Sequence, residues 1–237
     1  MLEHDAPEVA LATIRAEQAR VVLLDQVLSL APPEQVMEHA TELGIDLGGR
    51  RSVLVVGVVS TAVLERLRDA ALLVGIRSGT IVAIISGRVP RGAETAGLGR
   101  PGLGVSGIRT SFREAERALE VASRLHLRGV VPFADVLPEA LIGQDRETLR
   151  ELVDLTLEPL RSNRQGGPHY IETATTWLQE GLSVAATARA LDIHERTVRY
   201  RLARIAKLTA LDLQHADDRF RLELALRGAR LLDAASA

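Results

Sequence analysis

The chain has no cysteine and few aromatics: three Phe, two Tyr and one Trp among 237 residues. Without cysteine there is no disulfide, no thiolate nucleophile and no cysteine-ligated zinc. Any core must be aliphatic, built from Leu, Val, Ile and Ala. Lysine is nearly missing too: Lys207 stands alone against 28 Arg, a bias that high-GC coding explains before function does. A formal net charge of −2 excludes coating of nucleic acid by overall charge, so any positive charge used for binding must be local. No apolar run approaches the ~20 residues needed to span a bilayer, and Val53–Val59 is only strand length. The start, MLEHDAPEV, lacks the basic region of a secretory signal, so a cytoplasmic protein with no membrane partner is expected. The six histidines (His4, His39, His126, His169, His194, His215) show no metal-ligand spacing, so neither a metal nor another cofactor is expected.

The length allows one or two domains with real cores. Ala6–Leu30 reads as an amphipathic helix with Ile14, Val21, Leu24 and Leu28 among its apolar positions. It is either a dimer stalk or a helix packed on the middle of the chain. Pro32-Pro33 ends it, and Pro33–Leu43 reads as a second helix. Ser52–Ser60 is a fully apolar strand, expected to be central and covered on both faces. Thr61–Val74 reads as helix, Thr80–Ser86 as a second buried strand and Gly104–Ile108 as a third. Ser111–Leu125 comes next as a helix with Phe112, Ala115, Ala118, Leu119 and Ala122 inward and Ser111-x-x-Glu114 as its capping box. Gly129–Phe133 is a short edge strand, and Asp145–Leu160 a helix capped by Asp145. Strands alternating with helices predict an α/β layer. RSNRQGGP, residues 161–168, reads as the linker. The expected division is therefore N-terminal helices at 1–50, an α/β domain at 51–160, the linker, and a helical domain at 169–237.

Catalytic constellations are not found. Gly97-Leu98-Gly99-Arg100-Pro101-Gly102 matches G-x-G-x-x-G formally, but it leads toward a strand and contains proline, whereas a dinucleotide fingerprint follows a strand and opens a helix. A flexible loop is the simpler reading, and six glycines between Gly92 and Gly107 leave an effector loop open. Ser106, Thr110 and Ser111 have no His/Asp pair nearby in sequence. Trp177 and Tyr170 read as core anchors rather than base-stacking groups.

Ser183 to Ile205, SVAATARALDIHERTVRYRLARI, is the most informative stretch. Ser183 is a good N-cap after the breaker Gly181. Val184, Ala188 and Leu191 recur at helical spacing. Asp192 occupies a turn, where aspartate tolerates a left-handed conformation better than most residues. Ile193 plugs the core beneath it. A second helix starts near His194 or Glu195 and runs to about Leu208, with Val198, Leu202 and Ile205 inward. From Glu195 to Lys207 it carries Arg196, Arg199, Arg201, Arg204 and Lys207 against the single acid Glu195. This is the pattern of a helix-turn-helix whose second helix enters a major groove. Arginine makes paired hydrogen bonds to guanine, which suits Arg196 and Arg199; Glu195 can accept from a cytosine amine. Arg201, Arg204 and Lys207 suit phosphate contacts, as does Thr187 from the first helix. His194, Thr197 and Tyr200 complete the candidate DNA-binding set.

These residues resemble the C-terminal helix-turn-helix of the PucR/CdaR family of bacterial transcription regulators. The likeness covers Thr173–Leu213 and continues through Asp217–Leu232, and Thr197-Val198-Arg199-Tyr200-Arg201-Leu202 is its most specific part. Many members enter the recognition helix with His, a basic residue, Asn and then Thr-Val. Here the run is His194-Glu195-Arg196-Thr197, which implies a different base preference. Upstream, Val21–Leu30, Leu43–Val58 and Gly102–Ala122 resemble the family's middle domain, a degenerate relative of the nucleotide-cyclase palm. The resemblance thus implies a fold of mixed α+β or α/β class, a cyclase-palm-like domain followed by an all-α helix-turn-helix domain. A working palm would need carboxylates beside its first strand and in its central hairpin. Ser52–Ser60 and Ser78–Pro90 have none, so no enzyme activity is expected. Members usually carry a ligand-sensing domain before this core, and it is expected to be absent from this chain.

The leading expectation is a sequence-specific regulator that binds double-stranded DNA as a homodimer or higher oligomer. No residue selects a small-molecule effector. The alternative is a non-catalytic regulatory module that binds a ligand or partner without DNA affinity.

Overall fold

Val53, Leu54, Val55 and Val56 are all buried. Side chains on a strand alternate between faces, so four buried neighbours require cover on both sides. The computed structural model, which describes residues 6–90, 92–163 and 166–233, supplies it. Val53 and Val55 join one hydrophobic layer with Val82 and Ile84. Leu54 and Val56 join the opposite layer with Ile81, Ala83 and Ile85.

The strand itself, β1 (Arg50–Val56), lies in the middle of the sheet. It pairs antiparallel with β3 (Thr80–Ile85) and β4 (Ala96–Leu98). β2 (Leu73–Arg77) flanks β3, and β6 (Val130–Pro132) runs parallel to β4 at the other edge. β5 (Gly102–Leu103) pairs with the first residues of β1. The sheet is therefore mixed and mainly antiparallel.

One face packs against α1 (Ala6–Leu28), α2 (Pro33–Glu42) and α4 (Gly104–Arg124), which contribute Leu23, Leu24, Val27, Val36, Ile108 and Phe112. The other receives Val63 and Leu67 from α3 (Thr61–Arg68). In α1, Leu24 and Leu28 are buried, whereas Ile14 and Val21 are exposed.

Three expectations fail here. The helix over Thr61–Val74 stops at Arg68, and β2 follows, turning into β3 at Ser78-Gly79. Both turn residues are left-handed, with φ 48° and 78°, which matches the right-handed twist of a two-residue hairpin. Gly104–Ile108 is not a strand but the first turns of α4. Val105, Ile108 and Phe112 fall on one helical face, and all three are buried. Ser111 is consequently no cap. It sits buried in mid-helix, and its Oγ accepts from the Val53 N–H at 2.9 Å.

The G-x-G-x-x-G stretch is a packing seam rather than a flexible loop. A Cβ on Gly97 would overlap the Ala115 carbonyl, one on Gly99 that of Ser111, and Gly102 and Gly107 leave no room for each other's. Glycine here lets α4 lie directly on the strand backbone. Arg109 of α4 then reaches the end of α1. Its Nε donates to the Val27 carbonyl at 2.8 Å, and its Nη2 to those of Ala31 at 2.6 Å and Gln26 at 3.3 Å. Carbonyls near the helix end, which have no partner inside the helix, are satisfied in this way.

The chain forms two compact units, one up to Ala140 and one from Leu141, so the division falls within α5 (Leu137–Ile142). The division thus falls before the 161–168 segment expected as the linker. Arg161 ends α6 (Arg146–Arg161) and Gly167 begins α7 (Gly167–Gln179). Residues 164–165, like the start of the chain, lie outside the described residues. The helix α6 is capped by Asp145, which accepts from the Thr148 N–H at 3.0 Å. It packs against α10 (Ala216–Asp233), where Gly228 makes room for Leu149 and Val153. Leu149, Val153, Leu157 and Leu160 are all buried. That apolar face makes α6 part of the helical unit, and the glycine-rich segment joins two helices within it.

Candidate nucleic-acid interface

Ser183 caps α8 (Val184–Ala190), its Oγ accepting from the Ala186 N–H at 3.2 Å. The turn runs through Leu191, Asp192 and Ile193, and Asp192 is left-handed at φ 51°. This reverses the chain without glycine. The second helix, α9 (Glu195–Thr209), follows with His194 as its N-cap. Val198 and Ile205 are completely buried and Leu202 is half-buried. They set α9 against α8, α7 and α6. Trp177 and Tyr170 of α7 are buried in the same unit.

That phase leaves His194, Glu195, Arg196, Arg199, Tyr200, Ala203 and Lys207 exposed. Arg196, Tyr200, Ala203 and Lys207 recur at three- and four-residue steps, so they form one stripe with Arg199 beside them. Thr197 is half-buried at its margin. Arg199 Nη2 donates to Glu195 Oε2 at 2.6 Å across one helical turn. A small residue at 203 leaves the middle of the stripe low, and arginine and lysine project on either side.

Three side chains expected at the interface lie differently. Thr187 is completely buried, and its hydroxyl donates to the Ser183 carbonyl at 2.7 Å. The phosphate contact expected of it is thereby given up to the helix backbone. Arg201 is half-buried and its Nη1 donates to Thr173 Oγ1 at 3.1 Å. Thr173 in turn donates to the His169 carbonyl at 2.6 Å, so Arg201 ties α9 to α7. Arg204 is half-buried with its Nε out of contact with solvent. Sequence reasoning missed Arg189, exposed in the last turn of α8 beside the reversal. Its signal was a basic residue at a helix C-terminus.

Residues 170–228 match the family model of the PucR C-terminal helix-turn-helix domain. Residues 29–121 match that of a GGDEF-like domain. The purine catabolism regulatory protein of Bacillus subtilis is 31% identical over 130 residues, 53% of this chain and 24% of that protein. The carbohydrate diacid regulator of Escherichia coli is 46% identical over 55 residues, 23% of this chain and 14% of that protein. The chain thus carries a PucR-type helix-turn-helix domain and is similar to the PucR/CdaR regulators over these stretches.

It combines that helix-turn-helix with a GGDEF-like region that precedes it in the chain. The matched stretches span a quarter or less of those two regulators' own lengths. A regulator of polyketide synthase expression from Bifidobacterium adolescentis, solved as a crystal structure, aligns over 91% of this chain and 93% of that one. The identity is 23% and the TM-score 0.42. Among the described residues, no helix is long and apolar enough to cross a membrane. No group of three or more His, Asp or Glu side chains that could hold a metal ion occurs among them.

Proposed function

We propose that the chain is a sequence-specific DNA-binding transcriptional regulator that inserts α9, about residues 194–208, into the major groove. The observation that carries this reading is the exposed stripe of α9, basic and aligned, on a helix whose opposite face buries Val198 and Ile205. Arg196 and Arg199 face base edges, where a paired arginine contact discriminates by ~1–3 kcal/mol. His194, Glu195 and Thr197 stand at the start of the helix, where recognition helices touch bases. Tyr200, Lys207 and Arg189 reach toward sugar and phosphate, with Arg204 behind them. Thr187 and Arg201 act as positioning residues that hold the helices in place.

Dimerisation belongs to the proposal, since one recognition helix buries too little surface for tight specific binding. The exposed apolar side chains Ile14, Val21 and Val22 of α1 support a stalk in that role. The protein acts in the cytoplasm and without catalysis, because two-metal chemistry needs carboxylates that β1 and β3 do not carry.

The test is to incubate the purified protein with sheared genomic DNA, recover bound fragments and sequence them, with the Arg196→Ala/Arg199→Ala variant in parallel. Enrichment of a few sites, lost in the variant, is the expected result. Binding should also weaken steeply with salt, by ~0.9 log units per phosphate contacted for each log unit of salt. A folded protein that enriches nothing would favour the module without DNA affinity.

A further inference from the structure

Glu195 is the one acid of α9, exposed beside the basic stripe. A carboxylate there repels the phosphates of any duplex that approaches, so general affinity does not account for it. Nor does stability of the fold, because exposed pairs one helical turn apart contribute little. Its side chain is 46% exposed and that of Arg199 63%. Two features give it a different use. As the first residue of α9 it lies where the helix dipole favours an anion. It also holds Arg199 through Nη2 at 2.6 Å.

A guanidinium has five N–H donors in a planar fork. Glu195 engages Nη2 and leaves Nη1, Nε and the second Nη2 hydrogen available. Guanine presents O6 and N7 side by side and takes two such donors at once. An untethered arginine at 199 would be served equally well by a phosphate, which every sequence offers. A tethered one has less freedom to lose on docking to a base, and its partner's charge disfavours the phosphate-bound alternative.

We propose that Glu195 is the specificity-determining residue of the interface: its ion pair with Arg199 presents the guanidinium to a guanine edge, so the operator carries a G·C pair at the position Arg199 faces. This rests on the DNA-binding reading above.

The full chain, Glu195→Ala, Glu195→Gln and Arg199→Ala are each selected against a randomised duplex pool. Their affinity for a non-operator duplex and their thermal midpoints are measured alongside. Wild type should prefer guanine at one position by ~10-fold or more, and Glu195→Ala should reduce this to about threefold or less. Glu195→Ala should bind the non-operator duplex at least as tightly as wild type, because a repelling charge has gone. Arg199→Ala should lose the preference at the same position, and Glu195→Gln should fall between wild type and Glu195→Ala. An unchanged preference at every position in Glu195→Ala overturns the proposal, as does a parallel loss of operator and non-operator affinity, which marks a merely structural role. If wild type itself enriches no sequence, the DNA-binding reading fails and takes this proposal with it; the wild-type arm separates that outcome from the others.

Discussion

Glu114 and Glu195 each hold an arginine, one in the sheet unit and one in the helical unit. Glu114 is almost enclosed, its side chain 9% exposed. It accepts from the Arg100 backbone N–H at 2.9 Å, from Nε at 3.0 Å and from Nη2. Arg100 also lies over the Phe133 ring, 5.6 Å from its centre. Burial opposes the charge on Glu114, yet the hydrogen bonds from Arg100 outweigh it and hold the carboxyl below its usual range. Glu195 makes a single contact with Arg199 in open solvent. The same two residue types thus form a structural clamp where the helix lies against a strand, and a removable tether where it faces outward. The two arginines are about equally exposed, at 60% and 63%; the burial of the acid, and the number of bonds it makes, is what separates a clamp from a tether.

Three experiments press on this contrast, and the largest effect is expected in the sheet unit. Gly99→Val drives a side chain into the Ser111 carbonyl, where backbone must move. It should cost ~3 kcal/mol or more, and broaden or abolish the thermal transition. Glu114→Gln comes next, with a loss of ~1–3 kcal/mol at neutral pH in urea denaturation. Its pH dependence has a definite sign. The folded pKa is depressed, so the clamp's contribution is complete above the ordinary carboxylate value of ~4.3. It is lost as pH falls through the lower folded value. Glu114→Gln should therefore flatten the stability curve in that acid window, and an unaltered curve would remove Glu114 from the account. Arg199→Ala is the smallest, shifting stability by less than ~0.5 kcal/mol. A larger shift would show that the outer pair is structural after all.

The two units were also unequally legible in the sequence. In the helix-turn-helix every signal is local: the Ser183 cap, the left-handed Asp192 and the spacing of Val198, Leu202 and Ile205. In the sheet, the long apolar runs of β1 and β3 were readable, whereas β2, β4 and β5 were not. The last two are three and two residues long and owe their existence to pairing with β1 and to α4 lying on their glycines. Gly104–Ile108 misled because alternation over five residues cannot outweigh a helical face that runs on to Phe112. At the candidate interface, His194, Glu195, Arg196, Arg199, Tyr200 and Lys207 are exposed, whereas Arg201 turns inward by helical phase. It stands three residues after Val198 and four before Ile205, so helical geometry already directs it inward. Thr187 was misjudged because a threonine hydroxyl can bond its own helix, and this one does.

Arg109 has a consequence that concerns time. Its Nε bonds the carbonyl of Val27, 82 residues earlier in the chain. At roughly 5–20 residues per second, synthesis needs about 4–16 seconds to get from one to the other. Through that interval the Val27 carbonyl lacks the guanidinium that bonds it in the folded chain, and the Val53 N–H likewise awaits Ser111, 58 residues on. The end of α1 is thus completed only once α4 has been made, long after its own residues.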